Sequence, residues 1–366
     1  MIRPRAAPAP PCCPNPACRY HTDPVAGWCW QRDGTYTRRA SPQVIHRYRC
    51  GQCGRRFSEQ TFRTSYWLRR PDLLPVVFRR LLGCTGMRQM ARELGVSPST
   101  VMRLSTRLGR HCLLWHAATR PRGAITEPLV LDGFVSFEYS QYYPTEFHTA
   151  VGAHSHFVYG MTESELRRSG RMTDRQRHRR AQLESQSGRP DPRSREKEVS
   201  RLLRIVTEPA HGLELWSDEH QDYPRALRRL AGWRITHRVT NSREPRTPWN
   251  RLFAVNLWDL LVRHSSANHK RETIAFSKRR QSAVERLWVM AVWRNWIKSF
   301  SERKRDASPA MRLGITDRRW TVEEVLARRL FVSQIELPDR WVPYYWRTIH
   351  TRQIPNGVEH RCRYAA

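Results

Sequence analysis

The stretch Glu127-Pro128-Leu129-Val130-Leu131-Asp132-Gly133-Phe134 is a short apolar run opened by a proline and closed by an aspartate and a glycine. Such a run reads as a buried β-strand that ends at a polar edge. An acid at that edge can face solvent or a metal while the strand behind it stays in the core. Taken alone, Asp132-Gly133 is better read as a turn. A second run of the same kind, Gly212-Leu213-Glu214-Leu215-Trp216-Ser217-Asp218, alters the balance, and a third acid, Asp259, follows on a helical stretch. The organisation of the chain turns on whether these three acids meet.

Composition narrows the setting. A chain of 366 residues can hold two or three domains with a sizeable core. It carries 65 Lys and Arg against 33 acids, a net charge of +32. Such an excess on a folded chain points to a polyanion partner, nucleic acid before a membrane surface. No apolar run approaches the roughly 20 residues needed to span a bilayer, and none resembles a signal peptide. Fourteen tryptophans argue against general disorder. Six of the nine cysteines fall in the first 53 residues, which suggests metal binding and not disulfides. A cytoplasmic, nucleoid-associated protein is expected.

Residues 1–11 read as a disordered Pro/Ala/Arg tail. Cys13-Pro14-Asn15-Pro16-Ala17-Cys18 and Cys50-Gly51-Gln52-Cys53 then form two knuckles that can place four thiolates around one Zn²⁺. Trp28, Trp30, Tyr36 and Tyr48 alternate with polar residues between them, as strands of a zinc ribbon over 12–66 would. Cys29 is spare, and Cys12 is the alternative to Cys13. From 67 to 118 the pattern is helical. Met87 to Leu94 ends at Gly95-Val96, and Ser97-Pro98 opens a new helix, a helix-turn-helix signal. Its second helix would enter a major groove led by Ser99, Thr100 and Arg103, with Arg107 and Arg110 near phosphates; the alternative is an ordinary helical hairpin.

A linker over 119–126 leads to a domain over 127–300. Strands are expected around Asp132, over Glu146–Ala153 and Ser155–Gly160, at Asp218 and at Trp233–Val239. His148, His154 and His156 read as polar-face or turn residues. A basic helical insertion covers about 164–195, and between Arg167 and Arg204 there are 13 Lys/Arg and five acids. In the helix after Arg251, Phe253, Asn256, Leu257, Leu260, Leu261 and His264 recur at helical spacing, with Asp259 among them. Ala283–Phe300 reads as a core helix, and 301–366 as one amphipathic helix and a basic, aromatic tail.

Strand with acid, two strands, helix, strand with acid, helix, strand, helix with acid: this order resembles an RNase H-like domain, a mixed five-stranded sheet flanked by helices. Together with Tyr48 to Ser58, the helix-turn-helix, Leu131-Asp132-Gly133, Trp216-Ser217-Asp218, and Val255 to Leu261 running into His269 to Ser277, the chain resembles bacterial insertion-sequence transposases of the DDE type over about residues 13–300. The resemblance implies a multidomain α+β chain that binds double-stranded DNA ends, works as a homo-oligomer, and performs hydrolysis and strand transfer at two Mg²⁺ or Mn²⁺ ions. Asp132 and Asp218 match the first two acids. The family most often has Glu third; here the best-placed acid is Asp259, with Glu244 and Glu272 less well placed and Asn256 and Arg263 one turn to either side. The rivals are a DNA-binding regulator with an inactive catalytic domain and an RNase H-like nuclease without strand transfer.

Overall fold

The computed structural model describes residues 9–23, 27–38, 44–207, 212–270 and 273–354. Most of the expected 1–11 tail, together with Glu272 and residues 355–366, lies outside the described residues. The fold is mixed α and β. A three-stranded antiparallel sheet comprises β1 (Trp30–Thr37), β2 (Val44–Cys50) and β3 (Arg56–Ser58). It is too thin for a large core; Tyr48, Phe57 and the cysteines bury against Trp28, Trp30 and Phe62 instead.

Three helices follow: α1 (Leu73–Leu81), α2 (Met87–Glu93) and α3 (Pro98–Thr119). The junction before α3 has the expected chemistry. Gly95 takes φ +61°, the Ser97 hydroxyl accepts from the Thr100 amide at 3.3 Å, and Pro98 occupies the first turn. The helix continues for 22 residues, and from Leu104 to Ala117 its inward face is buried with the sheet domain in one continuous core. Gly109 lets α3 approach α8 (Arg280–Val292) closely: a Cβ there would sit 2.6 Å from the Cβ and carbonyl oxygen of Glu285.

The larger sheet has the order β6 (Val158–Glu165), β5 (Pro144–Gly152), β4 (Leu129–Phe137), β7 (Leu213–Asp218), β8 (Ile235–Thr240). The first three are antiparallel neighbours, and β7 and β8 run parallel to β4. Asp132-Gly133 is not a turn. β4 runs straight through it, pairing Asp132 with Thr149 and Gly133 with His148. The glycine has a packing reason, because a Cβ would lie 2.9 Å from Cγ and Oε1 of Glu146. At its entry β4 is anchored by Glu127, which accepts from the amides of His154 and Ser155 at 2.8 Å. His148 is buried against Ser164, and His156 sits at φ +57° in the β5–β6 turn.

Between β6 and β7 lie α4 (Asp174–Ser187) and α5 (Ser194–Val206); α6 (Asp222–Arg228) follows β7. α5 buries Val199, Leu202, Leu203 and Val206 against the sheet. Helix α7 (Phe253–Ser265) buries Ala254, Val255, Trp258 and Val262. That stripe is rotated from the expected one and leaves Leu260 61% exposed. Trp258 contributes to that orientation: its indole is buried and donates to Thr149 on β5 at 3.2 Å. Asp259 thereby sits at the margin of the buried face.

The described part of the segment beyond 300, up to residue 354, packs against the rest of the protein. Trp341 is fully buried against Trp288 and His116, and Arg340 pairs with Glu163 and Glu198, both at 2.7 Å. Arg280 holds Glu138 and Glu165 in a second buried cluster. Near the small sheet, Ser333 bonds His21 at 2.6 Å and Gln334 donates to the His21 carbonyl. Among the described residues no helix is long and apolar enough to cross a membrane.

Candidate active site and metal centre

The cysteine centre is built by two turns facing each other. Cys13 and Cys18 bracket a proline-rich turn closed by the Cys18 amide on the Asn15 carbonyl, and Cys50 and Cys53 follow β2. The Sγ atoms of Cys13 and Cys53 are 3.5 Å apart, and those of Cys18 and Cys50 are 4.0 Å apart. Tetrahedral thiolates at about 2.3 Å from zinc would lie roughly 3.8 Å apart, so the set fits. Burial opposes ionisation of Cys50, but hydrogen bonds from the Cys53 and Gln52 backbone and the Trp28 indole outweigh it and bring the thiol to about 6. The four cysteines can hold a structural metal such as zinc. Cys12 instead accepts from Gln334, and Cys29 is exposed.

The acids lie at the other end of the chemistry. Leu129 pairs with Leu215 and Val130 with Trp216 across the parallel β4–β7 ladder, so Asp132 and Asp218, each two residues further on, stand level on one face. Helix α7 covers that face and brings in Asp259. All three are partly buried. Burial first, and then the charges of Asp218 and Glu146, push Asp132 up to about 6, although the Gly133 amide donates to it at 2.7 Å. Asp259 is raised well above the carboxylate range, by burial and then by Asp132. Tyr223 on α6 is fully buried, and the same carboxylates push its phenol up further.

A cleft of about 690 Å³ opens over Asp132 and Asp259, lined also by Asn256, Arg246 and Arg263. Arg263 reaches across the ring of Phe134 and donates to the His269 carbonyl at 3.2 Å. Carboxyl groups held in a desolvated cluster favour either protons or a cation in their midst. Among the described residues, the four cysteines are the one set of three or more potential ligands whose donor atoms all lie within 4.8 Å of one another. The acids are therefore more widely set. One shared ion would require the tighter spacing, whereas a pair of ions about 4 Å apart needs only the central acid to reach both.

No protein-family model matches the chain, and no curated protein matches it. Among solved structures it is similar to a chain of the simian T-cell lymphotropic virus intasome, determined by electron cryomicroscopy in complex with the PP2A regulatory subunit B56 gamma. That likeness covers 62% of this chain and 69% of the other at 13% identity, with a TM-score of 0.23. A score that low does not establish a shared fold.

At the start of α3, Ser99 and Arg103 are exposed and Thr100 partly so. Arg107 and Arg110 are both engaged with the protein itself. Arg107 turns inward to the carbonyls of Thr64 and Tyr66, at 2.6 and 2.9 Å, and burial draws its pKa down to about 10. Arg110 stacks on Tyr345 and donates to its carbonyl at 2.9 Å. Both face elements distant in sequence, which helical spacing does not reveal. Sequence reasoning also missed Glu146. It is 7% exposed on β5, its charge bears on both Asp132 and Asp259, and Arg195 holds it through an ion pair while reaching Asp222 at 3.1 Å. Its only local signal was a charged residue within an otherwise inward-facing strand.

Proposed function

We propose that the five-stranded unit is an RNase H-like catalytic domain and that the chain is a DNA transposase of the DDE/DDD type. The observation that carries this reading is the level pair Asp132 and Asp218 on adjacent parallel strands, with Asp259 brought over them by α7 in a chain of net charge +32. Two Mg²⁺ or Mn²⁺ ions bound there would supply Lewis acidity and ionise an attacking water or 3′-hydroxyl. Asp132 interacts with both other acids and is the residue suited to be shared; Asp218 and Asp259 would each hold one side. Arg246 and Arg263 line the cleft where a phosphodiester would enter. Ser99, Thr100 and Arg103 open the helix that would read a major groove, and the zinc ribbon beside it would add backbone contacts. Joining two DNA ends requires two such sites, so a homo-oligomer on DNA belongs to the proposal.

The test is a Mg²⁺-dependent cleavage and strand-transfer assay on labelled duplexes carrying the element's end sequences. Wild type should nick and then join DNA, and Asp132→Asn and Asp218→Asn should bind without cutting. Undiminished cutting by Asp132→Asn would sink the assignment; cutting without joining would favour a nuclease.

A further inference from the structure

A second cleft, of about 850 Å³, opens elsewhere on the molecule. Its walls are the turn after α3, the last turn of α5, and residues 336–343. Helix α5 links the two clefts. Arg195 in its first turn touches Glu146 and Asp222 beside the acids, and Arg204 and Ile205 in its last turn line this second cleft. Arg195 and Arg204 are about 14 Å apart along the helix axis, so the acid cluster and this cleft lie towards opposite ends of α5.

The lining carries five arginines, Arg120, Arg122, Arg201, Arg204 and Arg340, against Glu336 and Asp339. Arg340 is committed to the buried carboxylates of Glu163 and Glu198. Arg201 pairs with the same buried Glu198 while keeping 56% of its side chain exposed, and Arg204 donates to the Arg229 carbonyl at 2.7 Å and lies over Trp233. Arg122 is held most loosely: it meets Glu336 at 3.6 Å, with side chains 59% and 85% exposed. An exposed pair of this kind contributes about 1 kcal/mol or less, so an incoming anion can displace it. Arg120 is placed differently. Its Nη1 donates to the Ile205 carbonyl at 2.6 Å and its plane lies over Trp341, yet its buried Nε has no hydrogen-bond partner. Burial and then the charge of Arg122 lower its pKa, the direction expected where positive charge is uncompensated. Pro121, Pro338 and Pro343 stiffen the walls around it. Converging guanidinium forks suit phosphate oxygens.

We propose that this cleft is a second DNA-backbone site, which holds phosphates of a duplex segment towards the far end of α5 from the acids. The proposal rests on the DNA reading above. The experiment measures binding of the full, zinc-loaded chain to a 30-base-pair mixed-sequence duplex by fluorescence anisotropy from 50 to 300 mM salt. Arg122→Glu/Arg204→Glu should weaken binding about tenfold or more at 100 mM and reduce the slope of log affinity against log salt by about two. Arg122→Ala/Arg204→Ala should move both quantities the same way and serves if the charge reversal disturbs folding. Wild-type affinity and slope in the folded alanine variant would overturn the proposal. Failure of the proposed function shows separately, as a wild type that binds end-sequence duplexes without Mg²⁺-dependent cleavage.

Discussion

Asp132→Asn should make the protein more stable while abolishing the proposed cleavage, and the gain should depend on pH. An unfolded Asp132 titrates near 3.8 and the native one near 6. Two units correspond to about 3 kcal/mol, the cost of keeping this carboxylate ionised in its desolvated, like-charged place. Below the unfolded value both states are protonated and the cost vanishes. Between about 4 and 6 the native state binds more protons than the unfolded one, so this contribution to stability falls as pH rises through that window and is fully lost above it. The amide keeps the oxygen that accepts from Gly133 and lacks the charge. Urea unfolding of both proteins from pH 4.5 to 8, in buffer free of Mg²⁺ and Mn²⁺ but without chelator, so that the ribbon keeps its zinc, isolates the difference. The variant should exceed wild type by on the order of 3 kcal/mol at pH 8, with the gap closing towards pH 4.5. Added Mn²⁺ should stabilise wild type and leave the variant unmoved. A gap that does not vary with pH, or a variant less stable at pH 8, would refute the reasoning.

Three further predictions follow from packing and the metal centre. Cys50→Ser should lose stoichiometric zinc, read by a metal-release assay, and should expose the ribbon to proteolysis while the larger sheet stays protected. Gly109→Ala forces a Cβ to 2.6 Å from the Glu285 backbone and should cost about 2 kcal/mol or more by urea denaturation; a neutral result would mean that α3 and α8 are not packed so closely. Arg280→Met strands the buried Glu138 carboxylate and leaves Glu165 with Arg352 alone; it should cost about 3–5 kcal/mol, partly recovered by adding Glu138→Gln.

The parts of this fold that local chemistry dictates are legible in the sequence. The cysteine knuckles follow from spacing, the α2–α3 junction from Gly95, Ser97 and Pro98, and the strand order from alternating runs separated by breakers. The Asp132-Gly133 pair misleads when read locally, because its glycine answers to Glu146 on another strand and not to a turn. α7 is oriented by packing on β4 and β5, including the Trp258 indole that bonds Thr149, 109 residues away, so apolar spacing pointed to the wrong face. Arg107 and Arg110 look like a basic helical stripe, yet their partners are Thr64, Tyr66 and Tyr345. The role of residues beyond 300 was illegible for the same reason: Arg340 and Trp341 have meaning only beside Glu163, Glu198 and Trp288, which lie far off along the chain.

The docking of Ser333 and Gln334 onto His21 joins groups 312 and 313 residues apart. On a ribosome adding roughly 5–20 residues per second, the cysteine module would emerge some 15–60 s before the residues that clamp it to the body exist. For that interval it can bind its metal and fold, yet it swings on its tether. The docking of the cysteine module onto Ser333 and Gln334 is thus a late event in the life of each molecule, possible only once those residues have been made.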